Sequence, residues 1–243
     1  MKLLIDIGNT RNKYAIYGNE ALSAVQFIDE ADFDEQWFVK NFSNIHQCIV
    51  ANVNRAQISD SIMQWCRNSN IECLLLESED EKFGVRCAYE QPETFGIDRW
   101  LTLIGAEKLF PQQSCLIVDA GTATTIDLLS EKGVHQGGWI LPGIDLLFTC
   151  LTHNTAKVFA SPSNVSALNF ANNTSDAVNQ ASWAATLGLI NSAIETVERD
   201  LQKERQSVNI IFTGGNAAQL QQLFEGQSTL IENLIFVGMQ RYC

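Results

Sequence analysis

The stretch Leu3-Leu4-Ile5-Asp6-Ile7-Gly8-Asn9-Thr10 decides how the rest of the chain is interpreted. A short apolar run of strand character carries Asp6 at its end, and Gly8 then allows the backbone to turn tightly. Backbone N–H groups in such a turn can bind a phosphate, because glycine lets a ligand approach the main chain closely. The Asp6 carboxylate suits Mg²⁺, which prefers a few carboxylates together with phosphate oxygens. Taken alone, the octet also fits an ordinary strand and turn with a polar cap.

The same pattern returns near the middle of the chain. Cys115–Thr122 repeats the order of apolar run, aspartate, spacer, glycine and threonine, with Asp119 and Gly121 in the places of Asp6 and Gly8. Each copy continues into a second segment of strand character. Two matching hairpins predict a duplicated domain, with a ligand bound between the two halves.

Strand and helix patterns alternate in both halves of the sequence, which is typical of the α/β class. Acidic residues at the start of Asp29–Val39, followed by apolar residues at helical spacing, predict a surface helix there. The polar, proline-marked connector Phe110–Gln113 is the best candidate boundary. The predicted halves are therefore residues 1–112 and 113–243.

Composition excludes several classes of function. The 243 residues can bury a sizeable core, and 46% hydrophobic with 18% charged residues is typical of a folded protein. A net charge of -12 argues against nucleic-acid or anionic-membrane binding, which need a basic surface, and no apolar stretch is long enough to span a bilayer. Seven cysteines without a C-x-x-C motif indicate free thiols in a reducing cytoplasm.

The segment Tyr89–Trp100 predicts a loop, marked by Pro92 and Gly96, that leads into an amphipathic helix. Asp98 falls at the start of this helix, where aspartate is a good N-cap. The alternative interpretation is catalytic, since a carboxylate at this junction can take a proton from a hydroxyl while the neighbouring Arg99 binds an anion. The residues alone leave both interpretations open.

Three further patterns lie in the second half. Gly137–Gly143 predicts a structured turn packed close to a ligand or to the opposite half. Thr174–Glu204 predicts a long helix, and its small residues at helical spacing predict close helix packing; they are Ala181, Ala184, Ala185 and Gly188. Asn209–Ala217 predicts a strand, a glycine turn and a helix that could lie against the adenosine or ribose of a nucleotide.

Four motifs occur in a fixed order that resembles type III pantothenate kinase across essentially the whole chain. They are Asp6-x-Gly8-Asn9-Thr10, Gly96-Ile97-Asp98-Arg99, Asp119-Ala120-Gly121-Thr122 and Gly137-Gly138-x-Ile140-x-Pro142-Gly143. The resemblance implies the duplicated RNase H-like fold of actin-like ATPases and of acetate and sugar kinases, with the active site in the cleft between two halves. It also implies transfer of the γ-phosphoryl group of ATP to the hydroxyl of pantothenate, the first step of coenzyme A biosynthesis.

The resemblance implies a role for each matching residue. Those that match the family's ATP-binding residues are Asp6, Ile7, Gly8, Asn9, Thr10, Arg11, Asn12, Lys13 and Thr122, with Asp6 also on Mg²⁺. Those that match its pantothenate-binding residues are Tyr89, Gly96, Ile97, Asp98, Arg99 and Thr174, with Asp98 as the general base. Asp119 matches the ligand of the monovalent cation, K⁺ or NH₄⁺, that the family requires.

Family members are homodimers that build the substrate pocket at the subunit interface, so the same assembly is expected here. One position departs from the family pattern, since Ala181 stands where the family usually has glycine. The added methyl group can change how the helix after Thr174 packs, but it removes no chemical group from the site.

Three rival interpretations follow from the same residues. A kinase of the same fold could act on another hydroxyl substrate, such as a sugar or a carboxylate. A non-catalytic regulator is conceivable, since relatives have been named as accessory factors for gene expression, but three aligned acids argue for catalysis. An Hsp70-like chaperone ATPase is disfavoured, because no substrate-binding domain is expected in the sequence.

Overall fold

The computed structural model describes residues 1–29, 33–53, 56–155, 158–201 and 207–243. They form two compact units, the first made of Met1–Leu109 with Asn233–Cys243 and the second of Phe110–Glu232. Each unit contains one mixed sheet that begins with an antiparallel hairpin and continues into parallel strands, so the predicted α/β class is confirmed. Within the described ranges, no helix has both the length and the apolar character needed to cross a membrane.

The helices and strands are numbered in chain order. The first unit contains β1 (Lys2–Ile7), β2 (Asn12–Gly18), β3 (Ala21–Leu22), β4 (Gln26–Ile28), α1 (Glu35–Asn41), β5 (Gln47–Asn52), α2 (Ala56–Asn68), β6 (Glu72–Leu75), β7 (Glu81–Lys82), β8 (Val85–Arg86), α3 (Ile97–Leu109) and α7 (Leu234–Met239). The second contains β9 (Ser114–Ala120), β10 (Ala123–Leu129), β11 (His135–Pro142), α4 (Ile144–Asn154), α5 (Thr174–Leu201), β12 (Val208–Thr213), α6 (Ala217–Leu223) and β13 (Thr229–Leu230).

The first sheet has the order β3-β2-β1-β5-β6, with β4 also paired to β2. Its central strand β1 is buried on both faces, which explains why its sequence is continuously apolar up to Asp6. Helices α1 and α2 cover one face, where the rings of Phe38 and Trp65 stack with centroids 4.6 Å apart. The predicted helix over Asp29–Val39 begins later than expected, because Asp34 caps α1 by accepting from Trp37 N at 2.7 Å; residues 30–32 lie outside the described ranges.

The last eleven residues return to the first unit, although they follow the second half in sequence. Helix α7 is almost wholly buried and packs against α3. Beyond it, Arg241 pairs with Glu107, and Trp100 Nε1 donates to the Tyr242 hydroxyl at 3.3 Å. The compact units therefore differ at the C-terminus from the predicted division into residues 1–112 and 113–243, because apolar packing on α3 outweighs sequence proximity.

The second sheet has the order β11-β10-β9-β12-β13. One of its faces carries an apolar cluster covered by α5 and α6, with Trp183, Leu187 and Ile190 contributed by α5. Within the β10–β11 hairpin, the ring of His135 lies 2.9 Å from the Asp127 carboxylate, and both side chains are shielded from solvent.

Two predictions about the second half were wrong. Gly137–Gly143 is largely a strand, β11, because residues up to Pro142 pair antiparallel with β10. The small residues of α5 do not pack inside the unit: Ala181, Ala184, Ala185 and Gly188 are all exposed. Their helical spacing marks one continuous face, but the apolar residues of the neighbouring face are the ones that cover the sheet.

Candidate active site

The turn between β1 and β2 is closed by a backbone hydrogen bond from Gly8 N to the Arg11 carbonyl oxygen, 3.2 Å long. A Cβ atom at Gly8 would lie only 2.8 Å from that oxygen, so any larger residue would force the turn open. The side chains of Asn9, Thr10 and Arg11 are exposed. The turn thus places three exposed polar residues, one of them a cation, at the end of a buried strand.

The hairpin register sorts the predicted ATP-binding residues onto two faces. Asp6 lies opposite Lys13, and Ile7 lies opposite Asn12. Because side chains alternate along a strand, Asp6 and Lys13 share one face while Ile7 and Asn12 share the other. Ile7 belongs to the apolar cluster under α1 and α2, and Asn12 Oδ1 is buried without a hydrogen-bond partner among the described residues. Of these four residues, Asp6 and Lys13 are therefore the two whose side chains point to the face opposite α1 and α2.

Asp98 lies within the first turn of α3, which begins at Ile97. Its Oδ1 atom accepts a hydrogen bond from the backbone N of Arg99 at 2.8 Å, and the carboxylate is half-buried. Since the helix already starts one residue earlier, the N-cap interpretation of Asp98 is wrong. This hydrogen bond fixes the side chain at the beginning of the helix.

The guanidinium of Arg99 lies against two aromatic rings, Phe95 and Tyr89, whose centroids are 4.8 Å apart. It lies 4.6 Å from the ring centroid of Phe95 and 5.9 Å from that of Tyr89, and its Nη1 donates to the Tyr89 hydroxyl at 3.2 Å. The side chain is only 5% exposed. A cation stacked in this way is pre-oriented, so it can bind an anion with little loss of side-chain entropy.

Five of the predicted substrate residues therefore belong to one local cluster in the first unit, namely Tyr89, Gly96, Ile97, Asp98 and Arg99. The sequence analysis missed Phe95, whose ring supports Arg99 and whose carbonyl accepts from Ser78 Oγ at 2.8 Å. The available signal was its position directly before Gly96, within the loop that begins at Tyr89.

The second hairpin is built like the first. Gly121 N donates to the Ala123 carbonyl at 3.1 Å, and Asp119 lies opposite Thr125 of β10 and beside Thr213 of β12. The Asp119 side chain is half-buried and that of Thr122 is exposed. The Thr122 carbonyl also accepts from Gly143 N at 3.0 Å, which connects the turn to the end of β11.

Gly214 follows β12 and lies directly beside Asp119. Its φ angle is +93°, and a Cβ atom there would lie against Asp119 Oδ1 and 2.8 Å from the Ala120 backbone N. Glycine is thus required both by the backbone conformation and by the close approach. Within the unit, glycine lets the chain after β12 pass directly beside the Asp119 carboxylate. Contact of this turn with the adenosine or ribose of a nucleotide stays a prediction.

Thr174 is the first residue of α5 and is exposed. The helix start is fixed by Asn173, whose Oδ1 accepts from Asp176 N at 2.9 Å. An open hollow of about 340 Å³ lies next to this helix start; it is lined by Thr152, Val158, Phe159, Ala160, Ser161 and Ser175. Thr174 therefore stands at the rim of a concave surface within the second unit.

The described residues contain no group of three or more His, Cys, Asp or Glu side chains arranged to hold a metal ion. Asp6 and Asp119 each offer one carboxylate. The buried Asp6, at a turn of backbone amides, suits an Mg²⁺ ion that takes its other ligands from phosphates and water. Asp119, whose carboxylate lies next to the backbone of Gly214, suits a larger cation bound by carboxylate and carbonyl oxygens.

Proteins that share one name are similar to this chain over nearly its whole length. A chain of similar length from Colwellia psychrerythraea, named type III pantothenate kinase, is 43% identical over 254 aligned positions and covers 100% of both chains. A second protein with that name, from Pseudoalteromonas translucida, is 37% identical, covering 98% of this chain and 94% of its own.

Solved structures confirm the predicted fold. A structure described as a Baf family transcriptional activator from Campylobacter jejuni superposes with a TM-score of 0.65 at 24% identity, covering 98% of this chain and 96% of its own. A 2-dehydro-3-deoxygalactonokinase protein from Sinorhizobium meliloti gives a TM-score of 0.62 at 13% identity, covering 99% and 97%. The fold is thus that of actin-like ATPases and sugar kinases, with two sheet-containing units.

The family model described as type III pantothenate kinase matches residues 2–196, which include both hairpins, the Asp98 segment and most of α5. The two relatives of that name are 43% and 37% identical to this chain and cover 100% and 98% of it, so the relatives and the family model indicate the same family. This chain belongs to the type III pantothenate kinase family.

Proposed function

We propose that this protein transfers the γ-phosphoryl group of ATP to the hydroxyl of pantothenate, giving 4'-phosphopantothenate in the first step of coenzyme A biosynthesis. Membership in the family supports the reaction. The observation that supports the assignment of roles is the pairing of Asp98 with the buried, ring-stacked Arg99 at the start of α3. A general base and an anion-binding cation are thereby presented side by side.

On the nucleotide side, the turn from Gly8 to Arg11 would bind the phosphates of ATP through its backbone N–H groups. Lys13 shares a face with Asp6 and can neutralise phosphate charge from the strand that follows. Asp6 would hold the Mg²⁺ that accompanies ATP, which when bound spreads the charge of the phosphate oxygens. These roles suit a loose transition state, for which positioning and charge neutralisation supply most of the catalysis.

On the acceptor side, Asp98 takes the proton of the hydroxyl as its oxygen attacks the γ-phosphorus. Arg99 would bind the carboxylate of pantothenate, because its guanidinium carries five donors in a fixed plane and Tyr89 accepts from one of them. Thr174, at the exposed start of α5, would supply a further polar contact. Asp119 is proposed to hold K⁺ or NH₄⁺.

We also propose that the protein is a homodimer. The small-residue face of α5, formed by Ala181, Ala184, Ala185 and Gly188, is exposed along two turns of the helix. Large apolar side chains of the same unit are exposed as well; they are Trp139, Ile140, Leu146, Leu151, Phe159 and Phe170. Exposed apolar surface on this scale is characteristic of an interaction site, and a second copy of the chain is the occupant we infer.

Sedimentation of the purified protein tests the dimer. Ala184→Arg places a charge in the small-residue face and should convert the dimer to a monomer. Gln64→Arg introduces the same charge at an exposed position of α2 and should leave the dimer intact. Equal sedimentation of wild type and Ala184→Arg would reject this interface.

We place the enzyme in the cytoplasm. All seven cysteines are free thiols, as expected in a reducing compartment.

ATP turnover with and without pantothenate, with K⁺ present or replaced by Na⁺, tests the reaction directly. Turnover that depends on pantothenate supports the proposal, whereas turnover only with another acceptor in a small panel identifies a different kinase. No turnover with any acceptor would favour the non-catalytic regulator.

The role of Asp98 is tested by Asp98→Asn, which keeps the shape and the hydrogen bond from Arg99 N. We expect kcat to fall by about 10²- to 10⁴-fold, the usual contribution of a positioned base. ATP binding and thermal unfolding should stay as in the wild type. An unchanged kcat would exclude the base role.

A further inference from the structure

Three cysteines of the first unit lie in one cluster. Cys48 of β5 and Cys73 of β6 are directly paired in the parallel ladder, so their side chains point to the same face of the sheet. Cys66 comes from the last turn of α2, and a hydrogen bond from Ile71 N to the Cys66 carbonyl, 2.8 Å long, connects that turn to β6. Cys48 and Cys66 belong to the apolar cluster under α1 and α2, and Cys73 packs against the same cluster.

The three thiols differ in exposure. Cys48 and Cys66 are 0% and 1% exposed, while Cys73 is half-buried and can be reached by a small reagent. Hydrogen bonds from Cys48 and then from Cys66 lower the pKa of the Cys73 thiol, with a further contribution from the charge of Arg67. Cys66 has its pKa raised, so the proton is kept on the buried partner. A half-buried sulfur that is readily ionised is a nucleophile.

Geometry selects which partner can form a disulfide with Cys73. Neighbouring strands are about 4.7–4.9 Å apart, and paired residues of a parallel ladder point the same way, whereas a disulfide needs Cβ atoms about 3.5–4.5 Å apart. Cys48 therefore cannot bond to Cys73 without moving a strand. Cys66 comes instead from α2, which packs on the face of the sheet to which Cys73 points, so it can approach Cys73 from above and not from the neighbouring strand.

We propose that Cys66 and Cys73 form a reversible thiol-oxidation site, for which the oxidant is hydrogen peroxide. The Cys73 thiolate attacks one peroxide oxygen, the O–O bond breaks, and the products are a sulfenic acid on Cys73 and one water after proton uptake. The Cys66 thiol then attacks the Cys73 sulfur, its proton leaves with the hydroxyl as a second water, and a disulfide remains. Two thiols are oxidised and one peroxide is reduced to two waters. This inference is independent of the proposed kinase activity.

Oxidation would connect the end of α2 to β6. One strand, β5, separates β6 from β1, the strand that carries Asp6. Strand β5 pairs with β1 on one side and with β6 on the other. In a reducing compartment the disulfide would be transient, which is typical of cytosolic cysteines that respond to oxidants.

The full-length wild-type protein should first be alkylated with iodoacetamide at pH 6. Cys243 is a matched control in the same unit, since it is half-buried and burial raises the pKa of its thiol. We expect alkylation of Cys73 to be on the order of tenfold faster than that of Cys243. Equal rates at the two positions would overturn the proposal.

Hydrogen peroxide is then added to unalkylated protein, free thiols are blocked, and peptides are mapped by mass spectrometry. A Cys66–Cys73 disulfide that dithiothreitol reverses is the expected product. Cys66→Ala should instead leave a sulfenic acid on Cys73 that dimedone traps, and Cys73→Ser should give neither product. Since the wild-type map needs no variant to fold, a map without the Cys66–Cys73 peptide overturns the proposal by itself.

Discussion

The two hairpins share one sequence pattern but differ in charge and burial. The first has Lys13 opposite Asp6 and Arg11 in its turn, whereas the second has Thr125 opposite Asp119 and no basic residue between β9 and β10. Asp6 is 9% exposed and Asp119 is half-buried. A hairpin with two cations suits phosphates, and a hairpin without a basic residue suits a cation. We therefore propose that the two hairpins are similar scaffolds that bind different ligands.

Among changes to the two hairpins, the largest effect should come from replacing the carboxylate of the first hairpin with an amide. We expect Asp6→Asn to lower kcat by about 10²- to 10³-fold, as is usual when one preorganised electrostatic partner of the transition state is lost. Steady-state kinetics at saturating Mg²⁺ measure this, with unfolding temperature as the control for folding. An unchanged kcat would remove Asp6 from the phosphate site.

The matching change in the second hairpin is Asp119→Ala, for which we expect loss of the rate response to K⁺. Titration of KCl at constant ionic strength measures it. A variant that K⁺ still activates fully would show that the two hairpins do not divide their ligands in the way we describe.

A second comparison concerns one ion pair in each unit. In the second unit, His135→Ala would leave the buried Asp127 carboxylate without its imidazole partner, and we expect a loss of about 3 kcal/mol in the free energy of unfolding. Urea denaturation measures it. If His135→Ala unfolds at the same urea concentration as the wild type, the buried pair contributes nothing to the hairpin.

In the first unit, Arg241→Ala removes the pair with Glu107, in which both side chains are about one quarter exposed. Solvent screening weakens such a pair, so we expect a loss of only about 1 kcal/mol or less. A loss larger than that for His135→Ala would reverse the order we assign to the two pairs.

A similarly small change in stability is expected from a side-chain oxygen that is buried at the equivalent position of each hairpin. Asn12 lies opposite Ile7 and Thr124 lies opposite Ala120, and both Asn12 Oδ1 and Thr124 Oγ1 have no hydrogen-bond partner among the described residues. Thr124→Val keeps the shape and removes the unpaired hydroxyl, so we expect stability to rise by about 1 kcal/mol. Thr124→Ser, which keeps the hydroxyl, is the control. Lower stability of the Thr124→Val variant would indicate a polar partner for the hydroxyl, such as bound water.

The sequence was informative where a local pattern determines the structure. An apolar run, an aspartate and a nearby glycine were enough to predict both hairpins, because the turn conformation depends on adjacent residues. The Asp98 segment was predicted for the same reason, down to the contiguous cluster from Gly96 to Arg99. Phe95 was missed, since nothing in its spacing shows that its ring would face a guanidinium.

Long-range packing was harder to predict. The periodicity of α5 showed that its small residues share a face, but no pattern within one helix indicates what that face contacts. The return of α7 to α3 was also missed, because the whole second unit separates the two helices in sequence. Convergence of Asp6, Asp98 and Asp119 on one nucleotide stays a prediction for the kinetic variants to test.

The burial of α7 against α3 affects how the protein folds during its own translation. Domains usually fold from the N-terminus as the ribosome releases them, but here the first unit lacks a core helix until Leu234–Met239 has been translated. The second unit has all its residues earlier, so it can complete its sheet first. A nascent chain stalled before Leu234 would hold a finished second unit and an N-terminal unit with the apolar side of α3 still uncovered.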